Sequence, residues 1–254
     1  MAALAVALLG FLVLVKSAPV QQQKDEFDPA FPEEVPGMWE GDINEPLMFN
    51  PKHRNAIRNR AYRWPNGIVP YHISSAYSSH DRATFLSALQ SIEESTKVNG
   101  HTCIHFVPRT NQHDYIDIRR ETGCHSPVGR HGGHQVISLG HGCERKGTAE
   151  HEVLHSLGFW HEQSRYDRDN YVIVHWDNVQ HGREHDFNKH SSSDMDLLGQ
   201  PYDYGSVMHY GAYAFAKDRS KPTLTPKKSG VTIGQRVGLS REDIKKIQLL
   251  YGCH

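Results

Sequence analysis

Histidine is the commonest protein ligand for metals, and 19 of the 254 residues are histidine. The densest chemistry lies between Thr148 and Tyr171, which reads TAEHEVLHSLGFWHEQSRYDRDNY. His151 and His155 stand four apart, so a helix sets both imidazoles on one face, one turn apart, within reach of one ion. Glu152 follows His151 directly and flanks that ion instead of competing for it. This is the H-E-x-x-H spacing of zinc proteases, in which the glutamate serves as general base. The pattern continues to Gly158 and His161. Glycine suits a sharp helix exit because it enters the left-handed region without strain, and the chain can then swing back with a third histidine. Three neutral imidazoles leave zinc one position for water, which a catalytic site needs and a closed structural site lacks.

Such a constellation needs elements to hold it. Ile68 to Ile73 reads as a strand, with Pro70 suggesting an edge. From Ser79 to about Val98, Phe85, Leu89 and Ile92 recur at helical spacing. Ile104 to Val107, Tyr115 to Arg119 and Gln135 to Leu139 read as further short strands. Ser240-x-x-Asp243 resembles a capping box, opening a helix with Ile244, Ile247 and Leu250 on one face and Gly252 at its stop. Strands ahead of helices predict an α+β fold.

The ends of the chain differ from its body. Ala2 to Val15 is an almost unbroken apolar run, too short to span a bilayer but of signal-peptide length, with Ser17 fitting the cleavage point. Residues 18–54 carry eight acids and three bases, many prolines and no helical or strand period. Residues 55–254 carry 24 bases and 21 acids, so the formal charge of −1 averages an acidic leader and a mildly basic body. That balance speaks against a nucleic-acid partner. A composition of 37% hydrophobic and 22% charged residues excludes both a disordered chain and a multi-span membrane protein. In an oxidising compartment, Cys103, Cys124, Cys143 and Cys253 suggest two disulfides, with three pairings open. No N-x-S/T sequon occurs.

The zinc motif is that of the metzincins, and its continuation Phe159-Trp160-His161-Glu162-x-Ser164-Arg165-x-Asp167-Arg168-Asp169-x-Tyr171 resembles the astacins in particular. Ser206-Val207-Met208-His209-Tyr210 is similar to the astacin Met-turn. The resemblance runs from about Asn55 to Cys253. It implies a zincin-like metzincin fold: an N-terminal subdomain with a twisted, mostly parallel sheet and two long helices, an irregular C-terminal subdomain, and the active-site cleft between them. It implies one zinc ion on His151, His155 and His161, with Glu152 as base. Met208 would form the apolar floor, and Tyr210 would act as a further ligand that swings out to stabilise the transition state. It implies disulfides Cys103–Cys253 and Cys124–Cys143. Gly132 to Leu139 would be the edge strand that pairs with substrate. Val153 departs from the leucine usual in the family.

The leader also fits. Trp39-Glu40-Gly41-Asp42 resembles the F-x-G-D motif of astacin pro-segments, whose aspartate takes the position on zinc meant for water. The implied organisation is a signal peptide at 1–17, an activation pro-segment at 18–54 and a catalytic domain at 55–254. A trypsin-like protease would cut at Arg54, with Arg58, Arg60 and Arg63 as competing sites, and the freed Asn55 amine would meet Glu162. The expected protein is a secreted, monomeric zinc endopeptidase made as a zymogen. It would act on proteins or peptides and keep no membrane contact after signal cleavage. A catalytically silent binding protein on the same scaffold is the rival; such proteins usually lose the glutamate or a histidine. The basic run Lys217, Arg219, Lys221, Lys227 and Lys228 is either a solvated loop or a contact for acidic substrate residues.

Overall fold

A computed structural model describes residues 27–44 and 60–253. The apolar run at 2–15, the Arg54–Asn55 bond and Arg58 lie outside them. The elements in chain order are β1 (Ile68–Ile73), α1 (Ser79–Ser95), β2 (His105–Pro108), β3 (Tyr115–Arg119), β4 (Cys124–His125), β5 (His134–Leu139), α2 (Lys146–Ser156), β6 (Val172–Val174), β7 (Leu224–Pro226) and α3 (Arg241–Tyr251). The α+β reading holds. Five strands form one sheet in the order β2-β1-β3-β5-β4, parallel except for the β4–β5 pair.

Helix α1 begins where the Ser78 hydroxyl accepts from Asp81 N, and it buries Phe85, Leu89 and Ile92. Those side chains join Val69, Ile73, Ile116, Ile118 and Ile137 of the sheet and Val153 and Leu154 of α2 in one core. Beyond α2 regular structure thins to 3-10 turns and the β6–β7 pair until α3, around a second core of Phe187, Tyr202, Tyr210 and Phe215. The Ser240–Asp243 capping box and the left-handed Gly252 bound α3, with Ile247 and Leu250 buried and Ile244 half-buried. Cys103–Cys253 ties this helix to the start of β2, and Cys124–Cys143 ties β4 to the approach to α2.

Two strand expectations need correction. β1 is interior, between β2 and β3. Pro70 is tolerated there because pairing with β3 starts only at Tyr71, so Pro70 has a neighbour on the β2 side alone. The cleft-side edge is β4, not the 132–139 segment: β5 is flanked by β3 and, at Ser138 and Leu139, by β4. Alternating burial in β5 looks the same at an edge or inside a sheet, and a two-residue strand has no readable period.

Candidate metal centre and the segment that crosses it

His151 and His155 project from α2, and every residue of that helix from Gly147 to Ser156 is buried. The helix ends at Ser156 with Leu157 as its cap, and Gly158 follows at φ +108°, a conformation that side-chain-bearing residues rarely adopt. That turn brings His161 back, with its Nε2 3.4 Å from His151 Nε2; the His155 and His151 Nε2 atoms lie 3.2 Å apart. All three side chains are fully buried.

Their outer nitrogens settle the tautomers. His151 Nδ1 donates to Val207 O at 2.8 Å, His155 Nδ1 to Phe159 O at 2.8 Å, and His161 Nδ1 to a Glu40 carboxylate oxygen at 2.7 Å. Each Nε2 therefore turns a lone pair toward the same point. Lone pairs so close repel one another unless a cation sits among them, so the donor set fits a metal. Burial, with Arg236 adding, pushes the His151 imidazole down to about 4 and keeps it neutral. Burial acts the same way on His161, but the Asp42 charge and hydrogen bonds to Asp42 and Glu40 outweigh it and lift that group to about 9. A metal and that proton compete for one lone pair.

The fourth donor comes from the leader. Asp42 Oδ2 lies 3.0 Å from His151 Nε2 and Oδ1 3.2 Å from His161 Nε2, and all four donor atoms fall within 4.8 Å of one another. Burial raises the Asp42 carboxyl, yet the histidines around it hold it well below the usual carboxylate range. Gly41 makes the approach possible. It has φ +81°, and a Cβ there would stand 2.6 Å from both Glu33 O and the Phe215 ring.

Glu152 is fully buried, and neither of its oxygens has a hydrogen-bond partner among the described residues. Burial, then the negative charges of Asp42 and Glu33, raise its carboxyl well above the ordinary value, with Arg236 opposing. Met208 is buried in the same core as α2. Its turn is held from below by Asp243, which accepts from Ser206 Oγ at 2.6 Å and Val207 N at 2.9 Å. Tyr210 packs against His161 with ring centroids 4.7 Å apart, and its hydroxyl donates to Glu40 O at 2.5 Å. Glu162 is engaged by Lys246 Nζ at 2.6 Å, Arg165 at 3.0 Å and Asp203 N at 2.8 Å; Asn55 lies outside the described residues.

Residues 27–44 cross the cleft and bond to its rim. Ser126 N donates to Asp42 O at 2.9 Å and Asn44 N to Ser126 O at 3.1 Å, just past β4. Glu33 pairs with Arg236 at 2.5 Å and Glu34 with Arg219 at 2.6 Å. Glu40 adds His190 at 2.9 Å to its bond with His161. Sequence reading did not single out Glu33, Glu34, Glu40, His190, Arg236 or Gln163, whose side-chain oxygen accepts from Tyr210 N at 3.0 Å. Adjacent charges in the leader were the one available signal, and it names no partner.

The Astacin peptidase family model matches residues 56–252. This chain belongs to the astacin family. Its relatives include High choriolytic enzyme 1 of Oryzias latipes, 43% identical over 85% of this chain and 78% of that protein. Zinc metalloproteinase nas-15 of Caenorhabditis elegans is 46% identical over 80% of this chain. The chain spans only 34% of the length of nas-15 and 43% of nas-13. Among solved structures, the High choriolytic enzyme 1 hatching protease superposes with a TM-score of 0.70 at 43% identity, covering 77% of this chain and 97% of that one. Myroilysin shares the fold at 19% identity and a TM-score of 0.51. Astacin membership and the three-histidine cluster together assign a single zinc ion to this site.

Proposed function

We propose that the chain is the latent form of a secreted zinc endopeptidase, with residues 1–17 as signal, 18–54 as pro-segment and 55–254 as catalytic domain. The observation that carries it is the convergence of His151, His155, His161 and Asp42 on one point beside the unpaired carboxylate of Glu152. When bound there, zinc supplies Lewis acidity that makes a water nucleophilic near neutral pH and polarises a carbonyl.

The chain's own groups do the rest. Glu152 takes a proton from the attacking water and delivers it to the leaving nitrogen as the C–N bond breaks. Its carboxyl is held high by burial and by Asp42 and Glu33, so removing those two charges with the pro-segment frees it to act as a base. The Tyr210 hydroxyl already reaches a main-chain carbonyl in the cleft, that of Glu40. A substrate carbonyl in the same place would receive that hydrogen bond as negative charge develops on its oxygen. The rim at Ser126 bonds an extended chain, a geometry that suits peptide substrates.

Asp42 blocks the reaction by filling the position that water needs. A cut by a trypsin-like protease near Arg54 would release it. Arg63 is a poor site because its carbonyl accepts from Arg130 and its guanidinium bonds Leu250 O at 2.8 Å. The freed Asn55 amine would compete for Glu162. Two disulfides support an oxidising, extracellular setting. No helix among the described residues is long and apolar enough to cross a membrane.

The test is Glu152→Gln in the processed protein. Peptide hydrolysis should fall by at least about a thousandfold while zinc content stays at one per chain; removal of a group essential as proton carrier has an effect on this order. Hydrolysis at the parent rate by a purified, zinc-loaded variant would end the proposal.

A further inference from the structure

The segment that carries the third histidine is zipped to the segment that carries Tyr210. Glu162 N donates to Met208 O at 3.0 Å, and in the next rung Tyr210 N donates to the Gln163 side-chain oxygen at 3.0 Å. An amide side chain thus takes the place of a main-chain carbonyl. Its orientation is fixed, because turned over it would set the Nε2 donor against the Tyr210 N–H. Gln163 is fully buried, and its Nε2 has no hydrogen-bond partner among the described residues. A stranded buried donor weakens a fold, so packing does not account for an amide here, whereas an acceptor for Tyr210 N does. The Gln163 main chain is itself tied down: Arg168 Nη1 donates to its carbonyl at 3.0 Å and Arg168 Nη2 to Phe187 O at 2.9 Å.

Tyr210 is gripped at the rest of its main chain as well. Its carbonyl accepts from His209 Nδ1 at 2.8 Å. A Cβ on Gly234 would stand 2.2 Å from Gly211 Cα and 3.1 Å from the Tyr210 carbonyl carbon, so that loop closes on the same stretch. The ring is held differently, by aromatic contacts with His161, Phe187 and Phe215 and by the bond from its hydroxyl to Glu40 O. Glu40 belongs to the leader. Once the leader has gone, the hydroxyl loses that bond while the main chain keeps every anchor. Polar ties on the backbone and apolar contacts on the ring suit a side chain that swings about a fixed pivot.

We propose that Gln163 is a positioning residue, which anchors the Tyr210 main chain so that the tyrosine hydroxyl swings about a pivot held in register with the zinc site. The register comes from the chain itself, since Gln163 stands two residues after His161. The proposal rests on the reading of Tyr210 as the donor to the developing oxyanion. Without the anchor the hydroxyl is still present but is no longer delivered to one place, so the loss falls on the chemical step and not on substrate binding.

The test is a double-mutant cycle in the processed enzyme, Gln163→Met against Tyr210→Phe. Gln163→Met keeps the length of the side chain and removes the acceptor. It should lower kcat about tenfold, with KM changed by less than about twofold and zinc still at one per chain. In the Tyr210→Phe background, which already lacks the hydroxyl, the same substitution should change kcat by less than about twofold. Hydrogen exchange at the Tyr210 amide should quicken about tenfold in Gln163→Met, while that at Glu162 in the neighbouring rung stays at the parent rate. An equal loss of kcat in both backgrounds, or unchanged exchange at Tyr210, would overturn the proposal. Should Gln163→Met lose zinc or fail to fold, Gln163→Glu keeps an acceptor at the same length and enters the same cycle. There, parent-like kcat, or a loss that vanishes in Tyr210→Phe, supports the anchor, and a loss that persists refutes it. If Tyr210→Phe alone leaves kcat unchanged, the tyrosine reading has failed and the proposal falls with it. If the wild type hydrolyses no peptide, the peptidase reading has failed and the anchor is read from exchange at Tyr210 alone, quickened exchange supporting it and unchanged exchange refuting it.

Discussion

Glu40 holds the leader segment in the cleft by a contact separate from the Asp42 carboxylate. Its side chain bridges His161 Nδ1 and His190, and its carbonyl receives the Tyr210 hydroxyl. Burial alone would raise this carboxyl, but the His190 charge and bonds to both imidazoles hold it at about 2, so it stays ionised. Glu40→Ala strands a buried N–H, at a cost of about 1–3 kcal/mol. We expect the uncut chain carrying it to show roughly tenfold more peptidase activity than the uncut parent, since 1.4 kcal/mol is about tenfold; Asp42→Ala should show more. Asp186 gives a pH signature. Burial first, then the charges of Glu40 and Asp42, lift its carboxyl to about 7, against Arg183, while His185 lies 3.1 Å from it. An unfolded aspartate titrates near 3.9. Stability from this group is therefore complete below about pH 4 and is lost as pH rises to about 7. Asp186→Asn in the uncut chain should gain Tm relative to wild type across that window, measured by thermal denaturation at stepped pH; a flat difference would contradict the sign.

At the scale of elements, the zinc ligands depend on two turns that the helices deliver. The first is the Gly158 exit at φ +108°. Gly158→Ala should cost about 1–3 kcal/mol of strain, with a lowered Tm and zinc lost at lower chelator concentration. The second is the turn at Met208, which Asp243 of α3 holds through Ser206 and Val207, with Val207 O in turn orienting His151. Cys103–Cys253 pins α3 across 150 residues of chain, a closure worth about 5 kcal/mol in chain entropy. Replacing both cysteines with serine should therefore lower Tm and loosen zinc together. Helix α2 and its exit were legible because both ligand spacing and glycine chemistry are local. Ser240-x-x-Asp243 was legible as a cap, but the grip of Asp243 on Val207, 36 residues away, was not. Glu33 and Arg236, 203 residues apart, leave no mark in any local period. β4 was missed for its length, and Pro70 misled because strand register decides which side lacks a partner.

Over the whole molecule, the acidic leader and the basic body are complementary surfaces. Glu33 meets Arg236, Glu34 meets Arg219, Glu40 meets His190 and His161, and Asp42 meets the three-histidine cluster that includes His161. On the proposed reading, latency is spread along some ten residues of chain, and cutting the connection to the body would let all four contacts go. The most direct measurement is peptidase activity of the purified, zinc-loaded chain before and during limited trypsin cleavage, with the mass of the product followed in parallel. The uncut chain should be nearly silent, and hydrolysis should rise in step with loss of the acidic leader. A product that retains its zinc, lacks the leader and still hydrolyses no peptide would contradict the account.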